Sequence, residues 1–97
     1  MHLLSTDIFG RWLRGLFDAR ARAEILVRLR RLGLGNPGDA KPVGQEILEM
    51  RIDYDSGYRV YYTVNGPFVL LLFCGSDKKA QRRDVEQAKA IALRWRA

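Results

Sequence analysis

Residues 68–74, FVLLLFC, place seven apolar side chains in a row, with Gly66-Pro67 on one side and Gly75 on the other. A run of strand length that is apolar on both faces must be a central strand covered on both sides. A chain of 97 residues and 11.2 kDa can wrap such a strand in one small core, which predicts a single domain over residues 1–97. With 47% apolar and 29% charged residues, the composition is that of a folded chain rather than a disordered one. Cys74, the one cysteine, cannot close an internal disulfide and reads as a small apolar member of the run. The sequence shows neither a signal peptide nor an apolar stretch of membrane-spanning length, so a cytoplasmic location is expected.

Two more strands are predicted ahead of this one, over residues 46–54 and 58–64, with Asp55-Ser56-Gly57 and Asn65-Gly66-Pro67 as the turns. A three-residue first turn sets Tyr54 opposite Tyr58, Asp53 opposite Arg59 and Arg51 opposite Tyr61. Leu48, Met50, Ile52, Tyr54, Tyr58, Val60, Tyr62 and Val64 then share a face that packs on helices. Glu49, Arg51, Asp53, Arg59, Tyr61 and Thr63 share the other, uncovered face. A two-residue turn would instead split the two arginines between faces. The structural alternative for this face is a charge ladder in which Glu49 and Asp53 neutralise Arg51 and Arg59, worth about 0.2–1 kcal/mol per pair.

The helices follow from spacing. Thr6 or Asp7 caps a helix of about three turns carrying Ile8, Phe9, Trp12, Leu13, Leu16 and Phe17. Asp18 caps a second, with Ala21, Ile25, Leu29 and Leu32 in one stripe and five arginines mostly elsewhere. Residues 33–44, GLGNPGDAKPVG, are so rich in glycine and proline that a structured loop without another regular element is expected. The phosphate-loop pattern GxxxxGK[ST] is absent. A last helix is capped by Ser76 or Asp77, with Val85, Ala88, Ala92 and Trp95 as its packing seam.

Seventeen Lys and Arg against eleven Asp and Glu give a formal net charge of +6, which favours an anionic partner. The plain alternative is a solvated basic face that keeps the protein soluble.

The blocks WLRGL, RLRRLGLGNPGDAKPVG, EMRID, GYRVYY and LLLFCGSDKKAQRRDVEQAKA, in this order, resemble the RelE/HigB/ParE toxin superfamily of type II toxin-antitoxin systems, specifically its addiction-module killer protein branch. The resemblance runs over about residues 6–92. It implies an α+β, RelE-like fold, with two N-terminal helices packed on a small twisted antiparallel sheet and a C-terminal helix. A family-type strand ahead of the first helix would have only residues 1–5 to draw on, and so be short or missing. It further implies a HigB-like toxin that cleaves mRNA on the ribosome, silenced by a cognate antitoxin of the HigA-like helix-turn-helix type, with neither cofactor nor metal.

In that reaction a ribose 2′-hydroxyl attacks the neighbouring phosphodiester, and fixed cations stabilise the charge that builds on the phosphoryl oxygens. The arginine fork matches two such oxygens, which suits Arg51 and Arg59. His2, the one histidine, lies at an end expected to fray, so proton transfer falls to Lys78 or Tyr61, with Lys79 and Lys41 also considered. The expected catalytic set is Arg51, Arg59, Lys78 and Tyr61, and the expected RNA-binding set is Lys41, Lys79, Arg82 and Arg83. Two other classes stay open: a ParE-like gyrase inhibitor without nuclease chemistry, and a basic nucleic-acid-binding module.

Overall fold

The computed structural model describes residues 1–55 and 57–96. Strands β1 (His2–Ser5), β2 (Ala40–Gly44), β3 (Ile47–Ile52), β4 (Tyr58–Asn65) and β5 (Phe68–Gly75) form one sheet in the order β1-β5-β4-β3-β2. Helices α1 (Asp7–Arg14) and α2 (Ala19–Gly33) pack on one face; α3 (Gln81–Arg96), entered through a 3-10 turn at Lys78–Ala80, packs on the other. The class is α+β, with three helices and a five-stranded mixed sheet.

The apolar run is β5, flanked by β1 and β4 and covered on both sides as its composition requires. Val69, Leu71 and Cys74 join the core under α1 and α2, whereas Leu70, Leu72 and Phe73 face α3. The switch in alternation comes from a bulge. Tyr61 pairs with Phe73 and Tyr62 with Leu71, so Leu72 is the extra residue. Its carbonyl accepts a 2.9 Å hydrogen bond from the Thr6 hydroxyl, which also caps α1 by accepting from the Phe9 amide.

Several expectations are corrected. The sheet is mixed rather than antiparallel, because β1 pairs in parallel with β5. His2 therefore sits in a strand, short as expected, and not at a frayed end. Residues 40–44, expected as loop, form edge strand β2 against β3. An edge position tolerates Pro42, which has no N–H to donate. The β2–β3 connection is Gln45-Glu46 with φ of 52° and 63°, a two-residue hairpin loop in which both residues are left-handed, without the usual Asn-Gly signal.

In the β3–β4 hairpin, Arg51 pairs with Arg59 and Ile52 with Tyr58, so the register differs from the expected one by two residues. The connection runs from 53 to 57, five residues instead of three; Ser56, placed in the expected turn, lies outside the described residues. A shift of two preserves faces. Leu48, Met50, Ile52, Tyr54, Tyr58, Val60 and Tyr62 do belong to the core under α1 and α2, while Val64 is exposed.

The opposite face is not uncovered: α3 lies across Ile47, Tyr61 and Leu72 through Ala88, Ile91 and Ala92. Helix α1 is eight residues long, shorter than expected, and Phe17 beyond its end is fully exposed. In α2 the stripe Ala21, Ile25, Leu29 and Leu32 is buried beneath an Asp18 cap. In α3, Ala88 and Ala92 are buried as the seam requires, but Trp95 is exposed.

Gly75 ends β5 opposite Arg59, and a Cβ there would collide with the Asp84 carboxylate of the first turn of α3. Gly75→Ala should therefore displace Asp84 and lower stability by about 1–3 kcal/mol, the usual cost of overpacking. Chemical denaturation of the variant against the parent measures it, and an unchanged midpoint would refute the close approach.

Candidate functional site

Where the end of the β3–β4 hairpin clears the N-terminus of α3, a cleft of about 260 Å³ is lined by Asp39, Arg51, Ile52, Asp53, Gly57, Tyr58, Arg59 and Lys78. Three cations thus reach it from β3, β4 and the turn before α3. The sequence expectation that Arg51, Arg59 and Lys78 meet corresponds to this placement. Lys78 passes over Gly57 closely enough that a Cβ there would lie 3.4 Å from its Cε, and Gly57, at φ of 92°, provides both the turn and the room.

The two arginines differ in setting. Arg51, half exposed, is held by Asp39 in a two-point ion pair, Nε to Oδ2 and Nη2 to Oδ1, each 3.2 Å. Arg28 of α2 fixes the surrounding backbone, donating to the carbonyl of Arg51 at 2.7 Å and to that of Pro37 at 3.0 Å. Arg59 was expected on an open surface, yet it is 8% exposed, because β5 and α3 close over it. Its Nε lies 3.7 Å from Glu49 Oε1, and neither Nε nor Nη1 has a hydrogen-bond partner among the described residues.

Glu49 is completely buried. Its Oε2 accepts from the Tyr61 hydroxyl at 3.0 Å and from Gln81 Nε2 at 2.8 Å, and its Oε1 faces Arg59 and, at 4.0 Å, Lys41 Nζ. Burial, then the charge and hydrogen bond of Glu49, push the Tyr61 phenol well above its ordinary range, so it stays a donor. Asp84, also buried, has its carboxyl raised by burial, partly offset by Arg83 and Arg59. Burial likewise raises the Cys74 thiol, making it an inert core residue.

Tyr61, expected to stack on a base or donate a proton to substrate, is fully buried with its hydroxyl committed to Glu49, and so does not reach the cleft. Lys41 is exposed on β2 opposite Glu49, outside the cleft lining. Lys79 and Arg82 are exposed and do not line the cleft, while Arg83 lines a separate depression with Trp12, Asp77 and Asp84. The charge-ladder alternative assigned Glu49 and Asp53 to the arginines: Glu49 does face Arg59, but Asp39 replaces Asp53 on Arg51.

Sequence reasoning missed Asp39, Gln81, Asp84 and Arg28, which no local spacing links to the hairpin. The segment Gly33–Gly38 has the spacing GxGxxG, but it leaves a helix and enters a strand, the reverse of the order that aims a helix N-terminus at phosphate. The Arg28 side chain, 3.0 Å from a Cβ built at Gly38, fills the space beside it.

The protein-family model of the phage-derived protein Gp49-like family (DUF891) matches residues 11–96. The chain belongs to the Gp49-like family. An uncharacterized protein of Haemophilus influenzae is 42% identical over 92 residues, covering 95% of this chain and 93% of that protein. The assignment corrects the one drawn from sequence blocks: Gp49-like is a different family from the RelE/HigB/ParE superfamily and its addiction-module branch. Separated short blocks on a basic chain discriminate less than a match running through residues 11–96. No helix among the described residues of this Gp49-like chain is long and apolar enough to cross a membrane.

Proposed function

We propose that this Gp49-like protein is a toxin of a bacterial toxin-antitoxin pair that cleaves mRNA in a ribosome-dependent manner. The observation that carries the reading is the convergence of Arg51, Arg59 and Lys78 on one cleft. In the proposed reaction the 2′-oxygen forms a bond to phosphorus and the bond to the 5′-oxygen breaks, leaving a 2′,3′-cyclic phosphate and a 5′-hydroxyl. Arg51 and Arg59 take the charge on the non-bridging oxygens. Lys78 supplies the proton to the departing 5′-oxygen, and Asp53, a carboxylate in the cleft lining, receives the one from the 2′-hydroxyl. Two N-terminal helices, a sheet and a C-terminal helix are compatible in general with a RelE-like architecture.

The proposed partners are the ribosome with its mRNA and a cognate antitoxin, acidic or HigA-like, that neutralises a chain of net charge +6 in the cytoplasm. Binding of nucleic acid without cleavage is the second reading. It is favoured by two observations: Tyr61 is withdrawn from the cleft, and no histidine is among the described residues that line it.

Brief induction followed by primer extension on cellular mRNA tests the proposal. New 5′ ends should appear with the parent and fall at least tenfold with Arg51→Ala, whose exposed side chain can be lost without unfolding the chain. Growth arrest without new 5′ ends would refute the cleavage chemistry, and no arrest would refute the toxin reading.

A further inference from the structure

We infer that Glu49 is a positioning residue, which fixes the Arg59 guanidinium at the floor of the cleft and ties it to the first turn of α3. The inference rests on the cleft binding RNA phosphates. Two hydrogen bonds, from the Tyr61 hydroxyl and from Gln81 Nε2, hold Oε2 and so decide which way Oε1 points. It points at Arg59 Nε from 3.7 Å, close enough for strong Coulombic attraction in a buried site and too far for a hydrogen bond. Arg59 is thus held in direction while Nε and Nη1 lack acceptors among the described residues. Buried donors of this kind are costly and rare in proteins. Here they belong to a side chain nine-tenths buried in a residue that lines the cleft, and both atoms are closed to solvent, so Glu49 rather than water balances the charge they carry.

The cluster is assembled from three parts of the chain. Glu49 comes from β3, Arg59 and Tyr61 from β4, and Gln81 from the turn that follows Lys78 and Lys79. Through Gln81 the carboxylate also anchors the start of α3, next to the segment that delivers Lys78. Charge alone and positioning make opposite forecasts. Glu49→Gln removes a negative charge, raising the formal net charge from +6 to +7, which by itself should tighten RNA binding. If Glu49 positions Arg59, the same change weakens it.

The test is the affinity of the full chain for a short RNA oligonucleotide with 2′-O-methyl groups, which cannot be cleaved, at fixed salt and below the melting temperature of every variant. Glu49→Gln should weaken binding by roughly tenfold, a coupling typical of contacting buried groups. Arg59→Gln should weaken it comparably, and the double variant should bind no worse than Arg59→Gln alone. Binding that is unchanged or tighter in Glu49→Gln overturns the inference. An equal further loss in the Arg59→Gln background also overturns it, since Glu49 would then act through the fold at large. An Arg59→Gln protein that binds like the parent overturns the reading of the cleft itself, a separate result. Should Glu49→Gln fail to fold, Gln81→Met, which alters no charge and frees one of the two bonds on Oε2, must show the same dependence on Arg59.

Discussion

Arg59→Ala should cost the fold about 3–5 kcal/mol, whereas Arg51→Ala should cost no more than about 1 kcal/mol, although the two residues face each other across one hairpin. The difference is what each leaves behind. Without Arg59, the completely buried Glu49 loses the cation 3.7 Å from Oε1 and keeps a lysine 4.0 Å away that is more than half exposed. An uncompensated buried carboxylate is among the few mechanisms that destabilise by several kcal/mol. Without Arg51, Asp39 is 57% exposed and simply returns to water. Urea denaturation of the two variants compares them directly. Glu49→Leu in the Arg59→Leu background should recover much of the loss, because exchanging a buried pair for apolar residues is often neutral. Equal costs for the two single alanine variants would show that Glu49 finds another partner, and would remove the ion pair from the account of stability.

Lys78→Ala should reduce the proposed cleavage at saturating protein by about 100- to 10,000-fold, the range of a single general acid or base. Lys79→Ala should instead weaken binding in a salt-dependent way that excess protein overcomes, as expected for loss of about one phosphate contact. Adjacent residues part because of the local turn. The Asp77 carboxylate accepts from the Lys79 amide at 2.9 Å and starts the 3-10 turn, and from there the Lys78 side chain runs over Gly57 into the cleft, whose lining does not include Lys79. Single-turnover kinetics separates rate from affinity. A Lys78→Ala protein that cleaves at the parental rate when saturated would take Lys78 out of the chemistry and leave it a binding residue.

The parts of this site that could be read in the sequence are those set by local periodicity. Arg51 and Arg59 share a face because strands alternate with period two and the connection has an odd number of residues. Five residues serve that parity as well as three, so the face was legible while the register was not. Lys78 was legible as well, since a strand running directly into a helix places the intervening residues at the end of the sheet. The Gp49-like assignment and the placement of Tyr61 and Arg59 were not. Tyr61 looks like any polar-face residue of an amphipathic strand until α3 is laid over it.

By itself, then, the sequence determined the central strand, the capped α2 with its buried stripe, and the face on which each hairpin residue stands, because each depends on neighbours a few positions away. Tertiary structure alone decided that β1 pairs in parallel with β5, that Gln45-Glu46 turns β2 back on β3, and that α3 covers the sheet. It also decided the fate of two identical side chains. Arg51 lies beyond the last β2 pair and meets solvent and Asp39, while Arg59 lies opposite Gly75, where the missing Cβ admits Asp84 and α3 closes above it. Burial is set by groups brought from elsewhere in the chain, and no pattern in EMRIDYDSGYRVYY encodes which of its arginines will lose its water.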